Sequence, residues 1–396
     1  MNSFRNLEWM EMRFNRKATF LIITIVASTV SMRTVNNMFV TTLPLFGKYI
    51  LNFSSAEVGF LSSMAFITTL ISTSMINPRL NSRVRRITYI TSSLLMMLVL
   101  LMVYYSNFLT VWIFSVLAGF LYGLITPNII TSASLVDDRK LAERLLAIYS
   151  LSLSMSLVLG PVLETYLLRY YDYRSIFLLF IPLAAPLFIF SFSTRFPEEE
   201  NERFSFRDIN RKVLFAAVIN VMIYNIPFSI ITVYASIYTM ETLHVSRWLS
   251  YFVYVPFFTV SFFTRLAMAI RPIDDLRFTI TLSAFLTAIG ILMLSFPINI
   301  YFVFVSMALL GIPHGTIFPI SIIMISRGTD LRERNSVNSY FIASGNILMI
   351  VFPPFYGLLF TYFGYGVMIA TLVIPVVIFY ILLRKWYYGE KFMHSR

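Results

Sequence analysis

Twelve long apolar stretches run through this 396-residue chain, and no other feature limits its folding options as much. They cover about 18–44, 56–76, 87–105, 108–131, 145–168, 174–192, 213–239, 247–268, 278–297, 300–325, 337–360 and 363–383. Most approach or exceed the ~20 residues a helix needs to cross a bilayer. In hydrocarbon every backbone N–H and C=O must be satisfied within the chain, so stretches of this length form helices. With 58% hydrophobic and only 13% charged residues, the sequence lies outside the soluble globular range. The first stretch leads into eleven more and lacks a small-residue cleavage pattern, so it reads as a retained helix and not a signal peptide. The expectation is an all-α multi-pass membrane protein.

The second constraint is internal. Gly119, Gly123, Pro127 and Pro161 are matched 192 positions later by Gly311, Gly315, Pro319 and Pro353. A constant offset through two helices and their connection is the signature of a duplicated bundle, whose halves keep the same close packing and kinks. This predicts two pseudo-symmetric six-helix bundles, residues 1–193 and 213–396, around one central site. Between them, residues 194–212 carry the acidic run Glu198, Glu199, Glu200 and Glu202 with scattered bases. They are too few for a folded domain and read as a cytoplasmic linker.

The net charge of +12 invites a nucleic-acid reading, which its placement excludes. If the N-terminus starts inside, 25 of the 31 basic residues fall in cytoplasmic segments, including the cluster Arg79, Arg83, Arg85 and Arg86. Lys48, Arg169, Arg174 and Arg247 lie outside, while Arg33 and Arg265 sit within spans. Such a bias places both termini in the cytoplasm and explains the basicity by topology and by attraction to anionic lipid. A cell-membrane location follows, with membrane lipid as a partner and no nucleic acid. The absence of Cys removes disulfides and thiolate chemistry, and three scattered His give no metal-ligand spacing. No cofactor or metal is expected.

The six-plus-six layout resembles the major facilitator superfamily over essentially the whole chain. Locally, Asn77, Arg79, Asn81, Arg83, Arg85 and Arg86 resemble the family signature between spans two and three, with Asn81 where an acid is usual and Val84 where a glycine is typical. Arg271, Pro272, Asp274, Asp275 and Arg277 occupy the corresponding stretch after span eight. In span five, Gly160-Pro161 is similar to the core of an exporter motif, although Glu164 and Thr165 replace its trailing glycines. The resemblance implies alternating access, with a cavity lined mainly by helices one, four, seven and ten, and gating at Asn81, Arg85, Gly160, Pro161, Asp274 and Asp275.

Individual side chains sharpen this reading. Arg33 comes 15 residues after Ala18, about 22 Å along a helix at ~1.5 Å per residue. A charge at that depth costs at least several kcal/mol unless it faces a wet cavity or a partner. Asn36 and Asn37 follow at i+3 and i+4, so a polar face is expected, and the guanidinium fork of Arg33 suits a carboxylate or phosphate. Position 33 maps by the offset to Asn225, beside Asn220 and Tyr224, and Tyr122 maps to His314. With Asn128, these residues form the candidate solute contacts. Glu164 and His314 are the candidate proton carriers. Glu164 is expected near the outer interface, with Arg169 or Arg33 as possible partners. Arg265 maps to Thr73 near the end of span two, where its side chain is expected to snorkel to the cytoplasm. Pro127, Pro227, Pro319 and Pro353 are the expected kinks.

The function expected is secondary active transport of a small organic solute by a monomer, with proton-coupled export of multidrug type read first. Organic-anion uptake or exchange is the alternative, supported by Arg33 and by the lack of cavity aspartates. A non-transporting membrane receptor or scaffold is a further alternative. The spans contain no paired carboxylates at matched depth, and the chain has no Gly-rich phosphate loop ending in Gly-Lys-Ser/Thr, which argues against an enzyme and against direct ATP drive.

Overall fold

The computed structural model describes residues 16–134, 139–194, 196, 209–271 and 273–394. Most of the linker expected at 194–212 lies outside the described residues, as does Pro272. Among them are twelve helices long and apolar enough to cross a membrane. In chain order these are α1 (Arg16–Tyr49), α2 (Ser55–Arg79), α3 (Ser82–Tyr104), α4 (Thr110–Ser134), α5 (Arg139–Leu167), α6 (Tyr173–Ser191), α7 (Arg211–Leu243), α8 (Arg247–Ile270), α9 (Leu276–Ser295), α10 (Ile300–Gly328), α11 (Leu331–Phe363) and α12 (Tyr365–Tyr387). The chain is thus an all-α multi-pass membrane protein, and each apolar stretch became one span.

Polar connections start many of the helices. Ser54 and Glu57 form a capping box on α2, and Asp330 and Glu333 form one on α11. Asn81, Asp172, Asn210, Asp275 and Asn299 accept backbone N–H groups that begin α3, α6, α7, α9 and α10. Such caps satisfy donors that the helix itself cannot. The described chain begins at Arg16 in α1 and ends at His394 after α12 on the same side, called here the terminal face, because twelve spans lie between them.

The prolines expected to kink the spans leave them unbroken. Pro127, Pro227, Pro319 and Pro353 all sit inside helices that run through them. The interruptions fall elsewhere: at Phe180 in α6, at Phe252 and Val253 in α8, at Leu372 in α12, and in a π-helical turn at Ser72–Ile76 of α2.

The 192-residue offset holds in atomic contacts. A Cβ on Gly119 would lie 2.0 Å from the Ala65 carbonyl oxygen, and one on Gly311 would lie 2.4 Å from that of Phe257, the residue 192 beyond Ala65. Likewise Gly123 abuts the Thr69 carbonyl and Gly315 that of Ser261. The pairs α2–α4 and α8–α10 therefore share one glycine-mediated packing, in which backbones approach too closely for any side chain. Turn conformation repeats too: Asn52 (φ 59°) and His244 (φ 50°), again 192 apart, both adopt the left-handed conformation after α1 and α7.

The first six helices meet the last six most extensively where α2 crosses α11. There Gly59 and Gly357 admit the Tyr234 hydroxyl of α7, which donates to the Ser55 carbonyl at 2.7 Å and the Pro353 carbonyl at 3.0 Å. Among the described residues, the polar contacts between the halves cluster away from the terminal face. They include Ser55 with Tyr365 (2.6 Å), the Lys48–Glu241 ion pair (3.5 Å) and the Arg169 guanidinium over the Trp248 ring (4.4 Å). The structure is therefore closed at the face opposite the termini.

A central cluster of polar groups

Helix α1 carries the densest row of buried polar atoms without hydrogen bonds. Thr24, Thr29, Thr34 and Thr42 each keep an unpaired hydroxyl, Arg33 an unpaired Nε and Asn37 an unpaired Nδ2. Buried polar atoms are nearly always paired, so such a run marks a face shaped for something other than packing. Arg33 has neither a hydrogen bond nor an ion pair among the described residues. Its charge acts instead on Tyr122 of α4, Tyr149 of α5, and Arg265 and His314 of the second half. Tyr122 packs edge-on against Phe39 and leaves its hydroxyl unpaired. Asn36 is half-buried one turn along α1, and the buried Asn37 amide lies beside Gly160 of α5.

Across the interface the second half presents a matching group. His314 is wedged among aromatic rings, with centroids 4.6 Å from Phe228, 5.0 Å from Phe257, 5.6 Å from Tyr224 and 5.8 Å from Phe258. The Arg265 Nη2 donates to the His314 carbonyl at 3.3 Å and lies 3.5 Å from its Nε2. A guanidinium can only donate, so Nε2 is the acceptor in this contact. The Arg265 Nε and the Tyr224 hydroxyl are both buried and unpaired.

The expected snorkelling of Arg265 does not occur. In the first half the equivalent Thr73 hydroxyl donates to the Gly123 carbonyl at 3.1 Å. The same close helix approach in the second half delivers position 265 against α10, where a carbonyl and an imidazole accept the longer side chain. Helix rotation overrode depth.

The other candidates have hydrogen bonds or neighbours within the helices and loops around them. Asn128 is fully buried and donates to Asn77 Oδ1 (2.8 Å) and the Leu124 carbonyl (2.6 Å), tying α4 to the end of α2. Asn220 donates to the Ile317 carbonyl (3.1 Å) and Ser321 Oγ (2.9 Å) of α10. Asn225 faces α11 at Gly345. Asn81 accepts the Val84 N–H as the α3 cap, while Arg85 is buried with an unpaired Nε. Asp275 chelates Arg277 through both oxygens at 2.7–3.1 Å, and this contact pulls its carboxyl down to about 2. Arg327 donates to the Asp274 carbonyl at 3.0 Å. Gly160 and Pro161 lie within unbroken α5.

Glu164 sits fully buried in the seam between α5 and α8 and pairs with neither Arg169 nor Arg33. Arg169 is engaged with Trp248 instead. The Glu164 Oε2 lies 2.6 Å from the Tyr251 hydroxyl, which lies 2.6 Å from Thr41 Oγ1, and Thr41 donates to the Asn37 carbonyl at 2.8 Å. Glu164 Oε1 has no partner. With Glu164 protonated, Glu164 donates to Tyr251, Tyr251 to Thr41 and Thr41 to the Asn37 carbonyl; with it ionised, Tyr251 donates back to the carboxylate. Either order leaves the Tyr251 hydroxyl paired. Position 59 plus 192 is 251, so this polar seam is the pseudo-symmetric counterpart of the glycine crossing of α2 and α11. The duplicated sequence could have flagged that asymmetry, which local reading overlooked.

Two pseudo-symmetric sets of packed helices, a buried polar centre between them and closure at one face define a membrane transporter. Residues 25–271 and 271–395 match the Major Facilitator Superfamily, and the chain belongs to that family. It is a secondary transporter of small organic solutes working by alternating access, and not an enzyme.

Solved structures agree on the fold. A POT family transporter in complex with 5-aminolevulinic acid aligns with TM-score 0.75 and 11% identity, over 95% of this chain and 97% of that one. A bacterial homolog of the human lysosomal transporter Spinster, inward-facing and unoccupied, gives 0.73 and 11% over 96% and 99%. A D-xylose-proton symporter gives 0.69 and 14% over 93% and 97%. No curated protein sequence matches the chain.

Proposed function

We propose that the protein is a proton-coupled transporter of small organic anions, with halves at 1–193 and 213–396 joined by a cytoplasmic linker at 194–212. The observation that carries this reading is Arg33, half-buried in α1 with its Nε enclosed and without a hydrogen bond or ion pair among the described residues, its charge bearing on Tyr122, whose hydroxyl is also unpaired. An uncompensated guanidinium at membrane depth is costly, and an anionic solute removes that cost on binding. A lipophilic cation meets repulsion at the same place, so cation export of multidrug type is the less supported reading. The excess of basic residues on the terminal face supports cytoplasmic termini in a cell membrane. Closure at the other face then corresponds to a site reached from the cytoplasm.

Proton coupling rests on Glu164, whose buried carboxyl joins the halves through Tyr251 and can hold or release a proton without leaving that hydroxyl unpaired. Flux into oriented proteoliposomes under an imposed pH gradient tests both parts. Saturable anion flux lost in Arg33→Gln, and loss of the pH-gradient response in Glu164→Gln, are the expected results. Cation flux indifferent to Arg33 overturns the anion reading.

A further inference from the structure

We infer that Arg265 is a second anion-binding arm, contributed by the other half, and that the protein selects solutes carrying two negative charges. The inference rests on the organic-anion reading of Arg33 and extends it to substrate class. Each half supplies one guanidinium and one unpaired tyrosine hydroxyl: Arg33 with Tyr122 from α1 and α4, and Arg265 with Tyr224 from α8 and α7. The charge of Arg33 bears on Arg265 from the other half. Glu164, the buried carboxylate, is committed to Tyr251 and is not among the groups that act on Arg265 or His314.

Arg265 is held for such a role. One edge of its guanidinium is fixed by the His314 carbonyl and Nε2, and His314 is itself clamped by Phe228, Phe257, Phe258 and Tyr224. The remaining donors, including the buried Nε, have no partner among the described residues. A planar fork fixed along one edge, with the rest unengaged, is pre-organised for a carboxylate or phosphate oxygen.

Two like charges repel more strongly as the halves close and water that screens them leaves the site. A monoanion leaves one of them uncompensated when the halves close around it, whereas a dianion neutralises both. Because the arms belong to different halves, a bound dianion also links the parts that must move together.

The test is binding to the detergent-solubilised full chain at pH 7.5, by competition and thermal shift, with three probes: succinate, butyrate and a phosphate monoester. Succinate carries two separated charges, the monoester both charges on one head, and butyrate one charge. The expected result is that succinate or the monoester binds about tenfold or more tightly than butyrate. The better of the two reveals whether the arms grip separate groups or a single head. Arg265→Gln should bring dianion affinity down to that of butyrate, while butyrate binding stays dependent on Arg33. Arg265→Lys, which keeps the charge, should retain the preference.

Equal affinity for dianions and butyrate in the unmodified protein overturns the inference without needing any variant. So does equal weakening of both classes in Arg265→Gln, the result of a purely structural tie between α8 and α10. Both outcomes leave the anion reading standing so long as butyrate binding needs Arg33. Binding of no anion of either class removes that reading as well.

Discussion

Removing one oxygen, in Tyr251→Phe, should unlock the closed face. The Tyr251 hydroxyl lies 2.6 Å from Glu164 of α5 and 2.6 Å from Thr41 of α1, so α8 is bonded to two helices of the other half through a single atom. The ring remains and keeps its edge-on packing against Tyr254, at a centroid distance of 5.1 Å. Packing loss is therefore small. The Glu164 Oε1 already lacks a partner, so the variant leaves the whole carboxyl buried and unsatisfied. Leaving such a group unpaired costs about 1–3 kcal/mol. The cost applies only while the seam is dry, because opening admits water to the carboxyl. The equilibrium should thus move about 5- to 150-fold toward the state open at that face.

The chain contains no Cys, which makes the shift easy to read. Lys48→Cys and Glu241→Cys replace an ion pair that joins the halves with 3.5 Å between its charged atoms. That pair is partly exposed and contributes about 0–1 kcal/mol, so the labelled background stays close to the parent. Spin-label distances or short cross-linkers at these positions should report a major closed population, strongly reduced by Tyr251→Phe. Glu164→Gln keeps a partner for the hydroxyl and should shift the distribution less. An unchanged distance distribution in folded Tyr251→Phe would refute the role assigned to the seam.

Four further outcomes are expected. Gly119→Ala drives a methyl into the Ala65 carbonyl at 2.0 Å and should lower stability by about 1–3 kcal/mol in thermal unfolding. Gly160→Ala meets nothing closer than 3.6 Å and should be neutral or slightly stabilising, since alanine favours the helix. Asn128→Ala should lower stability by about 1–3 kcal/mol through the stranded Asn77 oxygen, with substrate affinity unchanged in a binding assay. Asp275, held near 2 by Arg277 against an ordinary 3.8, contributes stability above about pH 4 that disappears as pH falls through 2. Asp275→Ala should flatten that part of the pH–stability profile and cost roughly 0.5–2 kcal/mol from loss of the α9 cap.

The candidate site was only partly legible along the chain. Arg33 announced itself because a charge so deep in an apolar run has few physical explanations, and Tyr122, Tyr224 and His314 followed from the duplication. Arg265 was misjudged because depth along a helix says nothing about rotation around it. Tyr251 and Thr41 carried no local signal, since an aromatic and a hydroxyl residue are ordinary in a span. Their roles come from partners 87 and 210 residues away.

By itself the sequence determined the twelve spans, their duplication and the glycine positions where helices touch. These follow from hydrogen-bond satisfaction in lipid and from side-chain volume, both local properties. Only the tertiary structure decided which polar side chains turn inward, which seam between the halves is glycine and which is a buried carboxyl, and which face is shut. Those outcomes depend on the rotation of each helix and on contacts between bundles, where the packing of distant segments sets the energy.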